Sequence, residues 1–551
     1  MKKKLVIPFI GIHEIACHNG YGLKKLNLDG TANDGDELLD RSSTFRLDVK
    51  RLCTALQNGC SLIKLAHYLE SCSSANVIFK DNMKEHGRPT LYYAAERNDP
   101  GLIQILLEHG VDPDQEKHKL CIPLLAFTIW YGEAYAVNTT GIVKQLLACG
   151  ASPQVIPEDM WKTRLELAPA LHLTHRYSLW RASRVERRKA VNQQIAKAHK
   201  MTNLLKIPYY IVGQMASARL VIDRVYSHIA NNIDEPLVMA FVGPSGHGKT
   251  EMARQLGDLL TINHTVIPCT RFHSEFQLFG SSAGYIRSDE GSQLNNFLGD
   301  NSNQQAVVFL DEFDKTSKEI RQSFLELFDQ GEYMDRRDNI EVDCSRIIWI
   351  IATNFGDTII EQFYDRNMKL LSDDAKDKFD LTPLQDNLIK GYEQQFGAPF
   401  TGRTRLMVPF LPFSHGESAV VLHKFLLQHQ DRVRKPIDLR DDVKHYIGHI
   451  RLGIEQDGKF CSQVSEKYYR KGLGARSFLR AVDEVQDRLT AEYTNSDDLV
   501  TEDTNEGPLQ SYVARLIKKG NESYDVGVFK EEVEEDDDGE DEAMSGTETD
   551  F

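Results

Sequence analysis

The sequence predicts an α/β nucleotide-binding core with a parallel sheet, preceded by an all-α repeat array and followed by a smaller helical domain. Three observations carry this. An apolar run breaks into a glycine-rich turn at Leu237–Thr250, LVMAFVGPSGHGKT. Further apolar runs at 265–269, 306–310 and 347–352 are separated by helical patterns, as in a βα alternation. Ahead of them, two helix-pair patterns recur at a fixed period between 87 and 154.

Length and charge bound the reading first. The 551 residues suggest several domains, and 41% apolar content is ample for packed cores. The net charge of −16 is uneven: residues 531–551 hold twelve Asp or Glu and no Lys or Arg, leaving about −4 for the rest. Residues 526–551 therefore read as an acidic disordered tail. Nine cysteines without a C-x-x-C pair favour a reducing compartment over a disulfide scaffold. The start, MKKKLVIPFIGIHE, holds an apolar run too short to span a bilayer and shows no evident secretory leader. With Asp29, Asp34, Asp36 and Glu37 ahead of Arg41, no mitochondrial leader is evident either, so a cytoplasmic or nuclear location is expected.

Residues 1–44 stay unassigned. The segments GRPTLYYAAERNDPGLIQILLEHGVDPD and IPLLAFTIWYGEAYAVNTTGIVKQLLACGASPQ place Leu91 and Leu124 at a 33-residue spacing and end alike. Ile103, Leu106 and Leu107 recur as Val143, Leu146 and Leu147, one apolar helix face. The second unit carries extra residues between Thr128 and Gly141, read as an insertion between its helices, and 51–71 reads as a degraded earlier unit. A lone repeat cannot bury its face, so at least three are expected over 45–160. Residues 161–205, with RYSLWRASRVERRKAVNQQIAKAHK, read as a charged helical linker.

The glycine-rich turn fits G-x-x-x-x-G-K-[ST], spanning Gly243, Pro244, Ser245, Gly246, His247, Gly248, Lys249 and Thr250. Its glycines let backbone N–H groups curl around phosphate oxygens. Lys249 is positioned for the β and γ phosphates, the Thr250 hydroxyl for Mg2+, and the following helix EMARQLGDLL presents its positive dipole end. AVVFLDE ends in Asp311, the second magnesium-side residue, and Glu312, which would polarise the attacking water. IIWIIATN ends in Asn354, placed to orient that water or sense the γ phosphate. ATP and Mg2+ are the cofactors expected. The stretch DRNMKLLSDDAKDKFD reads as an exposed charged loop, SAVVLHKFLLQHQ and ARSFLRAVDEVQDRLTAEY as helices, and SYVARLI as a strand.

The ordered series IVGQ, GPSGHGKTE, LFGSSAGYIRSDEG, VVFLDEFDKT, ATNFG, APFTGR and GLGARSFLRAV resembles the AAA+ module of Clp-type unfoldases and disaggregases, most of all the second ATPase module of ClpB. The repeats resemble ankyrin repeats, and the two together are the plan of the ankyrin-containing ClpB homologues. The resemblance implies a five-stranded parallel AAA+ core at 206–409 and a small lid domain at 410–525. It puts Val212, Gly213 and Gln214 beside the adenine, and makes Arg403 an arginine finger for a neighbouring subunit with Arg405 a less suitable substitute. It makes Arg476 the lid arginine that reports nucleotide state, and Tyr285 the pore-loop aromatic that grips a threaded chain. The family's glycine after the pore aromatic is Arg287 here, and Gly402 replaces an asparagine before the finger.

The implied function is an ATP-hydrolysing, ring-forming unfoldase or disaggregase. Its expected partners are further copies of itself, in a hexamer, unfolded or aggregated polypeptide, and a protein bound by the ankyrin array. No membrane partner is expected. The alternative is an ankyrin interaction scaffold with a nucleotide-controlled assembly switch. Nucleic-acid remodelling is disfavoured by the near-neutral to acidic balance and the missing DNA-binding motif, so no nucleic-acid partner is expected.

Overall fold

The computed structural model describes residues 34–40, 47–72, 84–85, 88–111, 113, 122–162, 171–186, 188–280, 290–337, 339–495, 499–519 and 523–531. Tyr285 and Arg287, most of the acidic tail and most of the first 44 residues lie outside these. Among the described residues no helix is long and apolar enough to cross a membrane. The chain divides into two compact units, one of residues up to 427 with 457–481, the other of 428–456 with 482 onward.

The first unit begins with helices α1 (Asp34–Asp40), α2 (Val49–Gln57), α3 (Leu62–Ser71), α4 (Thr90–Glu96), α5 (Pro100–Glu108), α6 (Leu124–Ala134) and α7 (Thr140–Ala148). From α2 on they form three sequential pairs, the segment 51–71 supplying the first. Leu52, Leu56, Ile103, Leu106, Val143 and Leu146 are fully buried, as helical spacing requires. The extra residues of the third pair do not form the loop expected between its helices. Most lengthen the first helix, 11 residues in α6 against 7 in α4, and only the turn at 135–139 is longer than that at 97–99. The apolar LLAFTIW continues the helical burial, so the helix is extended.

The core of this unit is a five-stranded sheet of β1 (Leu237–Val242), β2 (Asn263–Pro268), β3 (Ala306–Asp311), β4 (Ile347–Thr353) and β5 (Leu406–Pro409), in the order β2-β3-β4-β1-β5. Every pairing is parallel. Parallel strands covered on both faces read as continuous apolar runs, and β1 and β4 are buried at every position. Alternate residues serve opposite faces. Val238, Ala240 and Val242 join one apolar cluster with Trp349 and Phe324, while Leu237, Met239 and Phe241 join another with Ala218, Val221 and Leu256. The covering helices include α10 (Met215–Ala230), α11 (Lys249–Leu260) and α12 (Lys318–Asp329).

The second cluster also contains Ala196, Met201, Leu204 and Ile207. The expected charged linker at 161–205 is thereby corrected: α8 (Leu173–Arg184) buries all of residues 173–181, and α9 (Ala190–Ala198) packs by Ala196. Charge counts misread it because each buried guanidinium meets a carboxylate far along the chain, Arg176 with Asp457 and Arg181 with Asp377. Asp377 in turn lies in the stretch expected as an exposed loop. There α13 (Asp357–Asn367) and the short α14 (Asp373–Asp377) form, and Met368 is fully buried. The unit is completed by α15 (Thr382–Phe396), α16 (Ala398–Arg403), α17 from His415 and α18 (Asp457–Tyr468). Segments 410–427 and 457–481, expected as part of the lid, thus group with the nucleotide core.

The second unit holds β6 (Ile450–Ile454), β7 (Gln510–Lys519) and β8 (Ser523–Lys530) in one sheet, β6 parallel and β8 antiparallel to β7. The expected strand SYVARLI is β7. The tail's expected start at 526 is corrected, since Val526 and Val528 are buried in β8 opposite Leu516 and Ala514.

Candidate functional site

Because the central strands are parallel and in register, their C-terminal ends emerge together. Val242 pairs with Thr353 and Leu310 with Ile351, so Gly243, Asp311–Glu312 and Asn354 follow three adjacent strand ends along one edge. β1 lies between β4 and β5, which makes this the edge where an open α/β sheet opens a binding crevice. Gly243 has φ +128, and a Cβ there would meet the Phe410 carbonyl oxygen at 2.8 Å, so the turn admits no side chain. Gly248, φ +94, starts α11 with space around it.

The Lys249 ammonium, nearly buried, donates to the carbonyls of Gly243 and of Pro244 (3.2 Å) and to Asn354 Oδ1 (3.1 Å). Burial pushes its pKa down to about 8, against the pull of Asp357, Asp311 and Asp314. Asn354 donates its N–H to Asp314 Oδ1 at 3.3 Å. Glu312 sits in the left-handed region, φ +52, and its N–H bonds Asp311 Oδ1 at 3.1 Å, turning the chain off the strand end. Thr250 follows Lys249 in the first turn of α11. These groups fit a magnesium–nucleoside triphosphate. The loop amides and Lys249 would meet phosphate oxygens, Thr250 and Asp311 the ion, and Glu312 and Asn354 the attacking water.

His247 is buried, with its ring stacked on Phe413, Nδ1 2.9 Å from the Ser245 carbonyl oxygen and Nε2 3.2 Å from Tyr469 Oη. Burial lowers its pKa to about 4, which suits a fixed neutral strut. Arg476 donates to Ser245 Oγ at 2.7 Å, and Ala475 N–H to the Gly246 carbonyl at 2.9 Å. Gly246 and Gly474 leave no room between these loops: a Cβ on Gly246 would lie 2.1 Å from the Leu473 carbonyl oxygen.

On the other side, half-buried Val212 precedes Gly213 (φ +67) and Gln214. Gln214 clamps the Leu411 backbone, donating to its carbonyl at 2.6 Å and accepting its N–H at 2.9 Å. Gly213 N–H bonds Tyr177 Oη at 3.0 Å, which also accepts from Arg181 at 3.0 Å. Beside Gly213 lies the Glu417 carboxyl, raised to about 7 by burial and by Asp373. Ser414 and Glu417 form a reciprocal cap at the start of α17, with bonds of 2.8 and 3.2 Å.

Arg403 stands apart from this group, bonded to the Pro399 carbonyl at 2.8 Å and to Asp329 at 2.9 Å; Arg405 pairs with Glu235. Sequence reasoning missed Asp314, Asp357, Tyr177, Arg181 and Glu417. Burial pushes Asp357, at the start of α13, up to about 6 despite Lys249. The Ser-x-x-Glu pattern at 414–417 and the second aspartate of DEFD, Asp314, were visible signals, whereas nothing local marks Tyr177 or Arg181.

Fold and site together define a P-loop α/β nucleotide-binding module. Residues 234–406 match the family model of the AAA domain (Cdc48 subfamily). The chaperone protein ClpB of Chlamydia pneumoniae is 26% identical over 281 residues, 49% of this chain and 30% of that protein. The mitochondrial disaggregase of Bos taurus is 27% identical over 395 residues, 62% of this chain and 57% of that protein, and the Homo sapiens one 26% over 310. The chain therefore spans less than two thirds of the length of each of these relatives. A closed-state reconstruction of Hsp104 with ATPγS and FITC casein aligns over 85% of this chain and 68% of that chain at 16% identity, TM-score 0.42.

Proposed function

We propose that this chain is an ATP-hydrolysing, ring-forming AAA+ disaggregase or unfoldase that threads unfolded polypeptide past Tyr285, with its N-terminal helix pairs acting as ankyrin repeats that recruit substrates or adaptors. The observation that carries the reading is the convergence of Lys249, Thr250, Asp311, Glu312 and Asn354 at one sheet edge, with Arg476 bonded to Ser245. That arrangement supports a hydrolytic role with Arg476 as a nucleotide-sensing arginine. The names of the relatives, chaperone protein ClpB and mitochondrial disaggregase, support a polypeptide substrate. Three sequential helix pairs meet the minimum that a repeat array needs to bury its faces.

Arg403 is assigned as a finger for the nucleotide of an adjoining copy, a role that its position at Asp329, away from this chain's own phosphate loop, leaves open to it. Subunit number follows the family's hexamers. The test is ATP turnover by purified protein with and without an unfolded model polypeptide. Stimulation by polypeptide, its loss in Tyr285→Ala, and loss of turnover in Glu312→Gln support the reading. Turnover indifferent to polypeptide and to Tyr285 overturns it. The Arg403–Asp329 pair favours a second reading in that case, an ankyrin scaffold whose nucleotide controls assembly while the finger stays paired.

A further inference from the structure

Away from the nucleotide site, three metal-ligating side chains meet inside the first unit. Glu133 lies at the end of α6, and His172 and His175 lie at the N-cap and in the first turn of α8. One ligand atom from each falls within 4.8 Å of the others. His175 is fully buried, yet among the described residues neither its Nδ1 nor its Nε2 has a hydrogen-bond partner. An imidazole must offer one donor and one acceptor, and burying either without a partner costs about 1–3 kcal/mol. Nothing in the nucleotide site uses this residue.

We propose that Glu133, His172 and His175 form a binding site for a divalent transition-metal ion of the zinc class. Two imidazoles and one carboxylate are borderline ligands that suit Zn2+ and exclude a dedicated Mg2+ or Ca2+ site, and three protein ligands leave a fourth position for water. Tetrahedral bonds of about 2.0–2.1 Å put ligand atoms roughly 3.3 Å apart, a short inward swing from the present spacing. If His172 ligates through Nδ1, the bond displaced is the 3.3 Å cap from His175 N–H.

The neighbouring groups define the ligand set. His172 and His175 stack with ring centroids 3.6 Å apart, and His423 lies 5.3 Å from His172. His423 is already engaged at both nitrogens, with Thr174 Oγ1 at 2.7 Å and Asp457 at 3.5 Å, so it stays outside. Arg176 is neutralised by Asp457. The other nearby cation, Lys144, is pushed down to about 7 by burial and by Lys424, which eases its repulsion of a bound ion. Occupied, the site joins the last residues of α6 to the helix whose Tyr177 holds Gly213, and the ion stabilises the folded unit by mass action.

The experiment uses the full chain stripped with a chelator, titrated with Zn2+ by calorimetry and with Co2+ by visible absorption. One equivalent per chain and a four-coordinate Co2+ spectrum are expected. Binding should weaken by at least about tenfold in Glu133→Gln and in His175→Leu, since even outer-shell changes cost roughly 10–100-fold. Binding should be unchanged in His429→Leu, which removes another buried histidine whose ring nitrogens have no hydrogen-bond partner among the described residues. If His175→Leu does not fold, Glu133→Gln decides, read also by loss of the Zn2+-induced rise in Tm. No stoichiometric binding in the wild type, or binding in the ligand variants as tight as in the wild type, overturns the assignment.

Discussion

Replacing Arg181 by methionine tests whether the buried base of α8 is electrostatic. Arg181 is 3% exposed and pairs with Asp377, 13% exposed, while also donating to Tyr177 Oη. Burial raises the Asp377 carboxyl while Arg181 pulls it down, and Glu417 nearby is raised by burial and by Asp373. Removing one partner of a buried pair costs about 3–5 kcal/mol, because the other charge stays behind without compensation. Here the loss depends on pH. Without Arg181 both carboxyls titrate still higher in the folded protein than in the unfolded chain, so the native state binds more protons. The stability is fully present below the unfolded carboxyl range near pH 4 and falls as pH rises through the raised folded values, so that between pH 5 and 8 the loss is about 1.4 kcal/mol for each unit by which a folded carboxyl pKa exceeds 5. Urea unfolding at pH 5 and pH 8, followed by tryptophan fluorescence, reads the difference. Arg181→Met/Asp377→Leu should recover most of the loss, since a buried pair exchanged for apolar groups is often neutral. A loss below about 1 kcal/mol at pH 8, against the few expected for a buried pair, or equal losses at the two pH values, refutes the reasoning.

Gly246→Ala and Gly248→Ala make a matched comparison. Both carry positive φ, costing about 1–2 kcal/mol for an alanine, but only the Gly246 Cβ runs into backbone, the Leu473 carbonyl oxygen at 2.1 Å. Gly246→Ala should therefore lower Tm more and speed nucleotide release by unseating Arg476; equal effects would show that the two loops are not in close contact. Arg403→Ala should reduce turnover of the assembled protein by about 10³–10⁵ while leaving nucleotide affinity unchanged. Asp329→Asn, which frees the same guanidinium, should leave turnover equal or higher, and a fall as large as that of Arg403→Ala counts against the finger role.

The site's primary residues were legible because they sit where strand runs stop. Apolar runs ending in GPSGHGKT, in Asp-Glu and in Thr-Asn require only that the strands be parallel for Gly243, Glu312 and Asn354 to share an edge, and the pairing Val242–Thr353 does this. Helix positions in the N-terminal pairs were legible from spacing, though α6 runs longer than the expected insertion allowed. The segment 161–205 was misread because Arg176 and Arg181 look solvated in a string of basic residues. Their partners Asp457 and Asp377 lie 281 and 196 positions away.

The sequence by itself determined the phosphate loop, the order of strands and helices around it and the acids at the strand ends, because period and glycine placement are local constraints on the backbone. Only the tertiary structure decided that α8 is core, that Tyr177 and Glu417 flank Gly213, that Arg476 reaches Ser245, and that Glu133 meets two histidines some forty residues later. Those contacts are matched in charge and shape across long stretches of chain, and no periodicity along the chain encodes a partner that folding brings near.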